Sequence, residues 1–446
     1  MWFMSMFSMK NQKVVSNRWV RLKGIPGAVR GLCGAFAVTA GCLTAPLAVA
    51  QLTYDLEYPA LGYGRVAPKD RVSALLKDIE AGAVQLEHAG DDSGYLMSLL
   101  EALEIDPSSQ VLVFSKTSLK QRFISSENPR ALYFNDQVYV GYVPGSRTLE
   151  VAAIDGVQGP VFFDFQQDPA ASPRAEQETS RCLRCHDSYS MTGGGVPRVM
   201  LGSGLYGRDG NVVSHEISEI TTTATPIARR WGGLYVTGKH GTQPHMGNLI
   251  IENRTSLDAI DTTTWGNRTS LEEFVDLSNY PRRTSDIVAL LVLEHQLEVQ
   301  NALTRLSFES RTQLPAGETQ SAAQLDKLTD PVLDALFMAN EAPLMDAVEG
   351  TSGFAEWFSA QGPRTPEGQS LRELDLKTRT FRHPLSYLIY SPQIDALPEG
   401  VRMHLYSRIR SVLADAPNAR KYPHITAEDR SAIRAILRAT KPEVVQ

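Results

Sequence analysis

The sequence predicts an α+β fold, and three patterns carry that expectation. Apolar residues recur at helical spacing near residues 72–79 and 96–103, short β-branched and aromatic runs fill residues 110–165, and helical periodicity returns from about residue 261. The expected order is a mixed helix and antiparallel-strand region, a glycine-rich middle segment and a mainly helical C-terminal region. At 446 residues the chain is long enough for two or three domains. The expected divisions are 1–50, 51–180, 181–260 and 261–446.

Residues 1–50 read as a targeting segment. Lys10, Lys13, Arg18, Arg21, Lys23 and Arg30 precede an apolar run over 31–50 that contains no acidic residue and ends in Ala48-Val49-Ala50. This is the layout of a cleavable secretory signal peptide, with the mature chain beginning at Gln51 and a periplasmic or otherwise exported location. A lipid anchor at Cys42 and an uncleaved apolar anchor are the alternatives. The segment holds six of the 44 Lys and Arg and none of the 50 Asp and Glu, so the remainder carries 38 against 50, a net charge of −12. An acidic chain lacks the basic footprint of nucleic-acid binding, which sets that partner aside, and it suits a basic partner protein. No later apolar run reaches membrane-spanning length, so no span is expected in the mature chain.

Each element has its own signal. Val72, Leu75, Leu76 and Ile79 define one amphipathic helix, and Leu96, Leu99, Leu100 and Leu103 a second after a Ser93 cap. Strands are expected over 110–114, 131–134, 138–143, 149–154 and 161–165, separated by turns at Asn135-Asp136, Pro144-Gly145 and Gly159-Pro160. Such short connections favour an antiparallel meander. Asp209-Gly210 between Leu205-Tyr206 and Val212-Val213 marks a hairpin. A long helix over 285–308 puts Glu294, Glu298, Asn301 and Arg305 on one stripe and His295 on the apolar side. Further helices are expected over 325–338 and 371–388, with Trp357 and Tyr387 as core anchors. A last helix opens at Thr426 with a capping-box pattern, turns Ile433, Ile436 and Leu437 inward, and stops at Pro442.

The stretch that carries chemistry is Cys182-Leu183-Arg184-Cys185-His186. Two thiols separated by two residues can add to both vinyl groups of one haem, and the histidine after them then falls beneath the iron. With Cys33 and Cys42 lost in the targeting segment, these are the only cysteines left, as suits an exported protein without stray thiols. A redox dithiol, a zinc site and a strained short disulfide are the competing readings. The five residues resemble the C-x-x-C-H attachment motif of c-type cytochromes, and the resemblance extends to the loop after them. It implies one covalent haem c, thioether bonds to Cys182 and Cys185, and His186 as the proximal iron ligand. In small cytochromes c a backbone carbonyl of a Pro-containing loop accepts the second N–H of that histidine, which here points to the neighbourhood of Pro197 in Gly193-Gly194-Gly195-Val196-Pro197-Arg198.

Other residues follow from the haem expectation. Arg229, Arg230 and Trp231 are candidates for the haem propionates, because a guanidinium fork matches a carboxylate and an indole N–H adds a donor; a solvated face is the plainer reading. His240, His245 and Met246 crowd a glycine-rich loop, and Met246 or His245 is expected as the distal iron ligand. His295 could also reach the iron, although a histidine on an apolar face is more often a core residue. Two functions remain open. One is a monohaem electron carrier serving a redox partner protein; the other is a haem enzyme with an open distal site that handles peroxide, oxygen or a nitrogen oxide.

Overall fold

The computed structural model describes residues 59–170, 173–188, 195–252, 266–313, 321–414 and 420–446. The targeting segment 1–50 and the Ala50/Gln51 cleavage site lie outside these residues. Among them, both antiparallel sheets and helices are present, so the α+β class holds.

A six-stranded antiparallel meander organises the unit Gln51–Gln446: β1 (Val111–Val113), β2 (Arg130–Phe134), β3 (Val138–Tyr142), β4 (Thr148–Asp155), β5 (Gly159–Gln166) and β6 (Ala175–Gln177), paired in chain order. The first five were legible in the sequence; β6, polar and only three residues long, was not. Both faces of the sheet are largely covered, so β3 is buried throughout, and β4 and β5 alternate only at the end that carries Glu150 and Asp164. On one face Leu112, Tyr133, Val140, Val151 and Phe163 meet α1 (Arg71–Glu80) and α2 (Leu96–Ala102) through Val72, Leu75, Leu96, Leu99 and Leu100. The other face divides in two. Val113, Phe134, Tyr139, Ala152, Ile154 and Phe162 are apolar and pack on the C-terminal helices, whereas Arg130, Glu150 and Asp164, farther along the same strands, are charged.

The C-terminal region is built on α4 (Ile287–Thr312), which follows a short helix α3 (Leu183–His186) and the hairpin β7 (Gly202–Tyr206) and β8 (Val212–Ile220). Asp286 caps α4, accepting the amide N–H groups of Val288 and Ala289 while its second oxygen takes those of Thr351 and Ser352. At 26 residues it is about 39 Å long and is buried over most of its circumference. Gly159 lets it approach the sheet: a β-carbon there would stand 2.3 Å from the Thr304 methyl. α5 (Ala322–Leu336), α6 (Phe354–Ala360), α7 (Pro392–Asp395), α8 (Glu399–Leu413) and α9 (Ala427–Thr440) complete the layer. One continuous core runs from Val111 to Val444, so residues expected in separate domains share it. No helix among the described residues is long and apolar enough to cross a membrane.

Two expectations fail for the same reason. Residues 371–388 do not form a helix; Leu374 and Phe381 pair across a tight turn in which the Asp375 carboxylate accepts the N–H groups of Lys377 and Thr378. That local bond offers the backbone an alternative to the helical ladder, and Pro384 removes a further donor. Ser93 does not cap α2: Asp91 captures both its N–H and its hydroxyl, and the helix starts behind Tyr95 without a side-chain cap. Tyr387 is buried as a core anchor, Trp357 only half-buried. The last helix matches closely, with the Thr426–Asp429 capping box formed and Ile433, Ile436 and Leu437 buried.

Candidate functional site

α3 is one turn, and its brevity is its use. The His186 N–H donates to the Cys182 carbonyl at 3.0 Å and the Cys185 N–H to the same oxygen at 3.2 Å, so thiols three residues apart stand on neighbouring positions of one helical face. Both cysteines are free; Cys182 is half-buried against the core and Cys185 is exposed. Leu183 anchors the turn, packing against the cores on both sides of the sheet.

His186 is held at two levels. The Arg198 N–H donates to its carbonyl at 2.8 Å, and its ring Nδ1 lies 2.6 Å from the Arg198 carbonyl. A carbonyl only accepts, so Nδ1 carries the proton and Nε2 carries the lone pair. The ring also lies on Phe162 of β5, with centroids 4.6 Å apart. Burial lowers its pKa and so favours the neutral ring a metal requires, against the opposing pull of the Arg198 carbonyl. Arg198 is one residue beyond Pro197. Its neighbour Val199 is fixed in turn by Asn301 of α4, whose side-chain amide donates to the Val199 carbonyl at 2.8 Å and accepts its N–H at 3.2 Å. Gly193 and Gly194 of the expected loop lie outside the described residues.

The ground beneath the turn is charged. Arg130 pairs with Glu150 at 3.3 Å, and Lys120 and Arg181 both pair with Asp164, at 3.1 and 3.4 Å. Burial, reinforced by Glu150, Glu178 and Asp164, pushes the Cys182 thiol up to about 12. Reactive dithiols need the opposite, a thiolate favoured by nearby positive charge, so the setting speaks against an oxidoreductase pair. Nor do the two thiols and the imidazole converge: among the described residues no three such groups are arranged to hold a bare metal ion. A haem asks for something else, namely two free thiols two residues apart and an imidazole whose Nε2 is not the bonded nitrogen, and this donor set has that chemistry. Three buried polar atoms around the turn, Arg130 Nε, Asp187 Oδ1 and Arg198 Nε, have no hydrogen-bond partner, as expected beside a group that brings its own polar atoms.

The remaining candidates fall elsewhere. Arg229 is exposed and makes a two-point pair with Glu219 of β8, at 2.9 and 2.7 Å. Arg230 is buried: it donates to Glu294 of α4 at 2.8 Å and to the carbonyls of Thr223 and Thr225, both at 2.6 Å. Burial raises the Glu294 carboxyl, and Arg230, with the Thr221 and Trp231 side chains, pulls it back. Trp231 is buried with a positive φ of 69° and lies edge-on to His245 at 5.4 Å. His245 in turn lies 4.6 Å from His240.

His245 Nδ1 accepts the Gly247 N–H at 2.9 Å, which puts the ring proton on Nε2 and leaves neither nitrogen with a spare lone pair. Burial pushes its pKa down to about 3, helped by His240. Both nitrogens of His240 face carbonyls, those of Gln243 and Gly266. Met246 is buried with Leu205 and Leu249, and its sulfur lies 3.9 Å from the Ser203 hydroxyl. The structure thus brings Trp231, His240, His245 and Met246 together, but the partners of His186 are Phe162 and Arg198. α4 measures the gap: Asn301 holds the His186 side and Glu294 the Arg230 side, seven residues or about 10 Å of helix apart. His295 is a core residue, its Nε2 2.8 Å from the Ser386 hydroxyl and its ring against Phe381.

Sequence reasoning missed Phe162, Arg130 and the side chain of Arg198. No local signal could have found the first two, because strand pairing alone carries them under α3. Arg198 was within the expected loop but was read only for its backbone. The chain matches no protein-family model, no curated protein and no solved structure.

Proposed function

We propose that this chain is an exported protein with a single c-type haem attached through Cys182 and Cys185 and ligated by His186, serving electron transfer to or from a partner protein. One observation carries the reading: the His186 Nδ1–H to Arg198 carbonyl bond, which leaves Nε2 free on the same helical turn as two unpaired thiols. When bound, haem supplies a one-electron iron couple. The chain's own residues do the rest. Arg198 and Phe162 fix the imidazole plane, Asn301 holds the segment that carries the Arg198 carbonyl, and burial keeps the ring neutral. Exposure of Cys185 puts one edge of the attached group at the surface, where a partner can approach. The leader-like pattern of residues 1–50 supports the reading, because thioether attachment of haem belongs to compartments outside the cytoplasm. Replacing both cysteines with alanine should abolish haem staining after denaturing electrophoresis; staining that survives the double substitution overturns the attachment.

A second reading, a haem enzyme with an open distal side, is favoured by the state of the two expected distal ligands. His245 has no spare lone pair, and Met246 is packed among Leu205, Leu249 and Ser203. Prompt binding of carbon monoxide to the reduced protein would select this reading, and slow or absent binding would select the carrier.

A further inference from the structure

A haem brings two carboxylates into a half-buried place, and those need cationic partners. The arginines that sequence spacing offered are already engaged, Arg229 by Glu219 and Arg230 by Glu294 with two backbone carbonyls. We infer that the haem carboxylates are held instead by Arg198 and Arg130. This rests on the haem reading above and assigns the residues that would bind its acidic edge.

Arg198 is tied to the proximal histidine by two hydrogen bonds, so its side chain starts from the iron ligand's own position. Its Nε is buried without a hydrogen-bond partner. Arg305, another cation, is near enough to act on it. Glu309 pairs with Arg305 at 3.3 Å and also acts on Arg198, and a further anion here would offset the mutual repulsion of the two cations.

Arg130 approaches the proximal histidine from the sheet, where its charge acts on the ring. It projects from β2 on the face that carries Phe162. Its side chain is 15% exposed, its Nε has no partner, and its single ion pair is with Glu150 at 3.3 Å. Glu150 is shared: its two oxygens also accept the Ser118 hydroxyl at 2.9 and 2.7 Å. Arg130 therefore keeps donors for a second anion.

The test uses the full chain matured with haem, in Arg198→Met, Arg198→Lys, Arg130→Met and, as a control, Arg229→Met forms. Each is read by haem staining after denaturing electrophoresis and by redox titration. A cation beside the haem disfavours the ferric state, so its loss should lower the potential. We expect staining to persist throughout, and the ferric-to-ferrous equilibrium to shift toward ferric by about tenfold, or about 59 mV, in Arg198→Met and in the same direction in Arg130→Met. Arg198→Lys should recover most of the shift and Arg229→Met should show none. Stained protein with unchanged potentials in both methionine variants overturns the assignment and leaves the haem reading intact. An unstained parent chain overturns both.

Discussion

His295 shows how a histidine can look like a ligand in sequence and serve as structure. It is enclosed by Phe381 and Tyr387, bonded to Ser386, and burial pushes its pKa down to about 3. The unfolded chain takes up a proton near pH 6.5 and the folded chain does not until far lower. The stability this group allows is thus complete above pH 6.5 and is lost progressively as pH falls toward 3. His245, shifted the same way, acts in the same direction. His295→Gln should therefore lose about 2 kcal/mol less stability than the parent between pH 7 and pH 5, measured by urea unfolding at each pH. Equal losses would mean that the ring is protonated in the fold. The Arg230–Glu294 pair makes a second case at this scale, because both side chains are almost fully buried. Arg230→Met strands a carboxylate and should cost about 3–5 kcal/mol, while adding Glu294→Leu should recover most of that. A double variant as unstable as the single would show that the pair contributes more than mutual neutralisation.

At the scale of elements, the polar stripe of α4 is a row of attachment points rather than a solvated face. Glu294 holds Arg230, Glu298 accepts the Thr223 N–H and hydroxyl, and Asn301 grips Val199 at both backbone groups. Irregular chain without a ladder of its own must satisfy its backbone polar groups somewhere, and this helix provides the partners. Asn301→Ala would leave the Val199 N–H and carbonyl unmatched, at a cost of about 1–3 kcal/mol. Because Val199 adjoins the carbonyl that orients His186, the same change should alter the Soret circular dichroism of the haem-loaded protein. Loss of stability with an unchanged Soret signal would show that the proximal loop keeps its geometry without Asn301.

For the whole molecule, the shared core has a mechanical consequence. The sheet and the C-terminal helices bury their apolar faces in each other, and α3 stands on the sheet with Leu183 in both cores. Neither layer can open without exposing the other, so the unit should unfold as one cooperative event. Far-ultraviolet circular dichroism and haem absorbance, followed together in urea, should give coincident midpoints. A separate earlier transition in either signal would mean that a part of the chain opens by itself.

Much of the architecture was already written in local patterns. Five strands of the meander, the β7–β8 hairpin, α4 and the capped last helix follow from periodicity and turn chemistry, because each rests on interactions within a few residues. The spacing of Cys182, Cys185 and His186 could be read for the same reason, since all three lie within one turn of chain. Tertiary structure alone decided that Arg230 is bonded to α4 and that Met246 lies in an apolar cluster with Leu205 and Leu249. It also brought Phe162 and Arg130 beneath the turn. Sequence spacing reports which residue types are close along the chain, but which lone pair or guanidinium remains available is set by partners up to a hundred residues away, and only the packed fold selects those partners.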